Sequence, residues 1–161
     1  MGGRPLTLMG KLARPGIIAK NFSAVDVNLE TIRLYDFQGR IRVISSVPSI
    51  DTDLCAAQTR RFNLEASKLP DVQLISISCD LPFALKRFRS TEGVENLITV
   101  SDHKETDFGI KYGFLIEELR LLARGIVIVD QKDMVRYVEV VSDITDHPDY
   151  DRALEAVKKL L

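Results

Sequence analysis

The hydrophobic rhythm of the chain changes near residue 40. Before it, short extended segments at 6–9, 22–27 and 31–34 are separated by turn residues, with Pro15-Gly16 between the first two. After it, apolar runs alternate with helical stripes. Residues 41–47 predict a buried strand that stops at Pro48. A polar turn, 49–52, is rich in helix-capping residues and leads into 53–69, where Cys55, Phe62, Ala66 and Leu69 share one helical face. Pro70-Asp71 ends that helix and 72–78 predicts the next strand. A second helix runs from Pro82 to about Arg89, with proline in its first turn. A short strand at 97–100 and a short helix at 105–112, closed by Gly113, follow. Strands at 125–129 and 134–141 flank the polar segment 130–133, which predicts a hairpin. Tyr150, Ala153, Leu154, Val157 and Leu161 line a closing helix that starts near Pro148.

Strand, helix, strand, helix, strand, helix, hairpin, helix is an α/β order. Its early βαβ units predict parallel strands with right-handed crossovers, and the late hairpin adds an antiparallel part. The expected architecture is a mixed sheet covered by helices on both faces, preceded by an N-terminal extended and hairpin region. A thioredoxin-like sheet fits this order, and periodicity leaves other small α/β folds open. No internal repeat or linker divides the chain, so a single domain over 1–161 is expected.

Composition narrows the function classes. Twenty-two Lys and Arg against twenty-three Asp and Glu leave a net charge of −1, without the basic excess of a nucleic-acid binder. Apolar runs are only a few residues long, as at 126–129, and 1–10 has no apolar core of signal-peptide length. The expectation is a cytoplasmic protein with no membrane span. Two Cys and two His are too few for a zinc cluster or a disulfide scaffold, and no Gly-rich phosphate loop occurs. His103 and His147 are isolated in polar surroundings. Glu117-Glu118, Arg60-Arg61 and Lys158-Lys159 read as solvated faces.

Any special chemistry therefore rests on few residues. In a βαβ unit, the turn from the strand's carboxyl end into the helix is the usual functional position. Here that turn delivers Cys55 into the first turn of a helix, where free N–H groups and the helix dipole favour an anion. The thiolate is the nucleophilic form of cysteine. Free cysteine is also a common small apolar filler, and position alone leaves both readings open.

Pro48, Thr52 and Cys55 form the P-x-x-x-T-x-x-C signature, and the string from Pro48 to Cys55 resembles the bacterial thiol peroxidase branch of the peroxiredoxins. The resemblance extends to Asp80-Leu-Pro-Phe-Ala84 with Arg87-Phe88, to Leu122-Ala-Arg124, and to Pro148-Asp-Tyr150. It implies a thioredoxin-like fold and a peroxidase that uses no metal or organic cofactor. Cys55 would be the cysteine that attacks hydrogen peroxide or an organic hydroperoxide and becomes a sulfenic acid. Thr52 would orient the peroxide while also capping the helix, and Pro48 would shield the thiolate from water. Arg124 would stabilise the thiolate and the departing oxygen. The resemblance further implies a homodimer and a thioredoxin-like or small-thiol reductant.

The chain departs from that branch at Arg89, which stands where a second, resolving cysteine is usual. The only other thiol is Cys79, at the end of the second βαβ strand. It is a possible resolving residue if the two strand ends share a rim, and otherwise a packing residue. The alternative function is a redox sensor or interaction module in which Cys55 is oxidised without efficient turnover. A C-x-x-C oxidoreductase is disfavoured because that motif is absent.

Overall fold

A computed structural model describes residues 3–161; Met1 and Gly2 lie outside the described residues. In chain order the elements are β1 (Leu8–Met9), β2 (Ser23–Asp26), β3 (Thr31–Arg33), a 3-10 turn (Leu34–Phe37), β4 (Ile41–Ser46), α1 (Asp53–Lys68), β5 (Val72–Ser78), α2 (Pro82–Glu92), β6 (Ile98–Ser101) and α3 (Asp107–Tyr112). They continue with β7 (Leu115–Ile116), β8 (Leu121–Leu122), β9 (Gly125–Val129), β10 (Val135–Val140) and α4 (Tyr150–Lys158). Seven strands form one sheet in the order β10-β9-β4-β5-β6-β2-β3. The pairs β4–β5 and β5–β6 are parallel, and the remaining pairs are antiparallel. This is the thioredoxin-like mixed sheet that the element order predicts, and β2–β3 is the N-terminal hairpin.

As a central strand covered on both faces, β4 is buried at every residue, the polar Arg42, Ser45 and Ser46 included. Its alternation divides the core in two. Ile41 and Val43 pack with Phe62 and Ala66 of α1, Leu85 and Phe88 of α2, and Ala153 and Val157 of α4. Ile44 points to the opposite cluster, with Phe22, Phe108 and Tyr112 of the α3 side. Phe108 stacks on Tyr112, with ring centroids 4.9 Å apart, and Phe22 meets both edge-on.

Three differences from the sequence pattern have physical causes. A small second sheet, β1-β7-β8, was not foreseen, because two-residue strands carry no periodicity to detect. Helix α2 runs on to Glu92 and stops at Gly93, whose left-handed φ of 65° supplies the C-cap. Helix α3 starts at Asp107, since its free N–H groups at Phe108 and Gly109 are taken by the carboxylate of Asp102, just past the end of β6, at 3.1 and 2.8 Å.

Asp102 is only 1% exposed, and burial pushes its carboxyl up to about 6 despite those two N–H bonds. A folded value above the unfolded one, near 4, means that its favourable contribution is complete below about pH 4 and lost as pH rises through 6. From pH 4 to 7 the wild type should therefore lose about 2–3 kcal/mol relative to Asp102→Asn, which has no proton to release. Urea denaturation of both proteins at the two pH values checks this; parallel changes would remove Asp102 from the account.

Candidate active site

The site lies where the carboxyl end of β4 meets the start of β9. These strands run antiparallel with Ser46 opposite Gly125, so the residue before Gly125 arrives beside the loop that leaves β4. Register alone thus brings Arg124 to Cys55, across 69 positions of sequence. Gly125 is required here: a Cβ would collide with the Glu139 carbonyl of β10 and the Phe114 ring.

Beyond β4, the Val47 amide donates to Ile77 O and prolongs the parallel pairing by one residue. Pro48 is buried and ends the ladder because it has no N–H to donate. Thr52 then takes extended angles and caps α1, its Oγ1 accepting from the Cys55 amide at 3.2 Å. Thr52 is exposed, and it lies on the turn that leads into the helix carrying the thiol. Cys55 itself is fully buried among Val47, Ile50 and Phe62. It is packed like an apolar residue, yet it stands in the first turn of α1.

Arg124 is 2% exposed and uses each side of its guanidinium. Nη2 lies 3.2 Å from Cys55 Sγ, Nη1 donates to Gln58 Oε1 at 2.9 Å, and Nε donates to Ile144 O at 3.0 Å. Gln58 is itself held, donating from Nε2 to Ser45 Oγ at 2.7 Å and to Ser46 O. Among the described residues no carboxylate lies within ion-pair distance of Arg124. A buried cation is costly without a counter-charge, and the charge of this one falls directly on Cys55 Sγ.

Tyr150 closes this side of the site. Its ring meets Phe62 edge-on at 5.6 Å, Arg61 sits 4.9 Å above it, and His147 Nδ1 is 3.0 Å from its hydroxyl. Burial pushes its phenol up, opposed by the nearby charges of Arg124 and Arg61.

The structure does not bring Cys79 to Cys55. Cys79 continues the register of Ile75 and Ile77, on the opposite face of the sheet, and packs against the other hydrophobic cluster. Burial, with Asp102 and Asp80 nearby, pushes its thiol up to about 12, so it stays protonated at neutral pH. Both cysteines are free thiols. Arg89, in the last turn of α2, donates from Nη1 to Leu97 O at 2.6 Å and ties the helix to the segment before β6. Among the described residues no group of three or more His, Cys, Asp or Glu is placed to hold a metal ion. No helix among them is long and apolar enough to cross a membrane.

Sequence reasoning missed Gln58 and Ile144, and gave Tyr150 as part of a matched motif and a helix face without a place at the site. Gln58 had a signal: it is a polar residue on the Cys55–Phe62 stripe, and a buried glutamine must find partners. Ile144 contributes only a main-chain carbonyl, which no side-chain pattern announces.

The Redoxin family profile matches residues 14–154. A thiol peroxidase of Halalkalibacterium halodurans is 49% identical over 159 residues, covering 99% of this chain and 96% of that protein. A thiol peroxidase of Bacillus subtilis is 45% identical, over 99% of this chain and 95% of its own length. The crystal structure of a peroxiredoxin-like protein from Aquifex aeolicus superposes with a TM-score of 0.94 at 34% identity, covering 99% of this chain and 95% of that one. The chain belongs to the Redoxin family as a thiol peroxidase of the peroxiredoxin class, and reduces peroxides through a catalytic cysteine.

Proposed function

We propose that Cys55 is that cysteine, with Arg124, Thr52 and Pro48 completing the site in a single domain, and that an external thiol closes the cycle. The observation that carries this reading is the Arg124 guanidinium 3.2 Å from Cys55 Sγ with no carboxylate to neutralise it. The thiolate sulfur attacks one peroxide oxygen, the O–O bond breaks, and the other oxygen leaves with its electron pair. That oxygen takes a proton and departs as water or alcohol, leaving Cys55 as sulfenic acid. The Thr52 hydroxyl, which donates to Ser49 O at 3.3 Å, can turn to donate to a hydroperoxide or accept from it beside the sulfur. Arg124 stabilises the charge on the departing oxygen. Pro48, rigid and buried, keeps water from the thiolate.

The second half-reaction needs a thiol from outside the chain. It condenses with the sulfenic acid, releasing water and forming a mixed disulfide, which a second thiol opens. Cys79 is poorly suited to that step, being protonated and on the other face of the sheet. A thioredoxin-class dithiol in the cytoplasm fits the chemistry, and we propose that the enzyme works as a homodimer.

Turnover with hydrogen peroxide should be sustained by thioredoxin, thioredoxin reductase and NADPH. Peptide mapping under non-reducing conditions should find no Cys55–Cys79 bridge. Excess peroxide without reductant should inactivate the protein, because a waiting sulfenate is open to oxidation to sulfinic acid. A dominant Cys55–Cys79 peptide after one equivalent of peroxide would overturn the external-thiol route.

A further inference from the structure

We propose that Asp80 is a positioning residue for peroxide reduction, clamping the loop that holds Pro48 and Thr52 around Cys55; this rests on the assignment of Cys55 above. Its carboxylate accepts three hydrogen bonds. Oδ1 receives Ser49 Oγ at 2.7 Å, while Oδ2 receives the Ile50 amide at 2.8 Å and Ser78 Oγ at 2.7 Å. No cation among the described residues lies within ion-pair distance, so these donors alone satisfy the charge.

The bonds continue to the reacting sulfur's own residue. Ser49 Oγ, besides donating to Asp80, accepts from the Asp51 amide at 3.1 Å. Ser49 O accepts from both the amide and the hydroxyl of Thr52, each at 3.3 Å. Thr52 Oγ1 in turn accepts from the Cys55 amide. Asp80, Ser49, Thr52 and Cys55 therefore form one continuous chain. Ile50 is buried in the core, but Asp51 and Thr52 are exposed, so Thr52 is held by this polar chain rather than by its own packing.

Asp80 is a firm anchor. It follows β5 directly, Ser78 being the last residue of that strand, and its carbonyl accepts from Ser101 Oγ at the end of β6. The clamp thus references the loop after β4 to the two parallel strands beside it. Losing it would leave Cys55 in α1 and Arg124 on its sulfur, but would free Thr52 relative to them.

The test separates geometry from thiol reactivity. Rates of Cys55 oxidation by hydrogen peroxide, read by quenched dimedone labelling, are compared with rates of Cys55 alkylation by iodoacetamide, which needs no Thr52. Asp80→Ala should slow oxidation about 10- to 100-fold, the scale of a small misplacement, while alkylation stays near wild type. Asp80→Asn and Ser49→Ala should fall between the two and carry the test if Asp80→Ala does not fold. Wild-type oxidation rates in these variants, or equal changes in both reactions, would overturn the clamp. Cys55→Ser is run alongside: peroxide consumption surviving there refutes the Cys55 assignment, a failure distinct from that of the clamp.

Discussion

Cys55→Ser should abolish peroxide consumption, while Cys79→Ser should keep the first oxidation step at the wild-type rate. The asymmetry follows from the two environments. Cys55 stands one turn into α1 with a guanidinium on its sulfur. Burial and two nearby carboxylates push the Cys79 thiol up to about 12, and the charge of Arg120 opposes them only in part. Serine is nearly isosteric with cysteine, so the fold is not at issue, and an alcohol cannot act as the thiolate does. Initial rates of peroxide loss with a saturating thiol donor decide the matter. Equal rates in wild type and Cys55→Ser would contradict the assignment.

Arg124→Met should slow oxidation of Cys55 by a factor of about 10² to 10³, the usual loss when one preorganised donor is removed. Methionine fills similar space but leaves Gln58 Oε1, Ile144 O and Cys55 Sγ without their donor. Arg124→Lys keeps a cation yet has no planar fork to reach all three acceptors, and should recover part of the rate. Thr52→Val tests the other side of the sulfur. It removes the α1 cap, a stability cost of about 1 kcal/mol, together with the hydroxyl offered to peroxide. Single-turnover rates unchanged in both Arg124→Met and Thr52→Val would remove these residues from the site.

Much of this site was legible before any coordinates. The βαβ order placed Cys55 at a strand-to-helix turn, and the spacing of Pro48, Thr52 and Cys55 identified the loop. Strands β5 and β9 have the bounds that the apolar runs predict, because each is buried along most of its length and stops at polar or turn residues. What the pattern could not supply was pairing between distant segments. Arg124 reads as a surface charge until β9 is known to lie beside β4. The separation of Cys79 from Cys55 is likewise a matter of register: a residue one place along β5 would point to the other face. The structural roles of Asp102 and Asp80 were not legible, although Asp80 stands in a matched motif, because each bonds main-chain groups or hydroxyls of another loop or helix start, and such partners carry no sequence signal.

The most direct measurement is to find which sulfur reacts first. Reduced protein is mixed with one equivalent of hydrogen peroxide in the presence of dimedone, alkylated, digested with trypsin and mapped by mass spectrometry. The two cysteines fall in separate peptides, 43–60 and 69–86. The account predicts dimedone on the peptide carrying Cys55 and an alkylated, unoxidised Cys79. Dimedone on Cys79 with Cys55 left as a free thiol would contradict it.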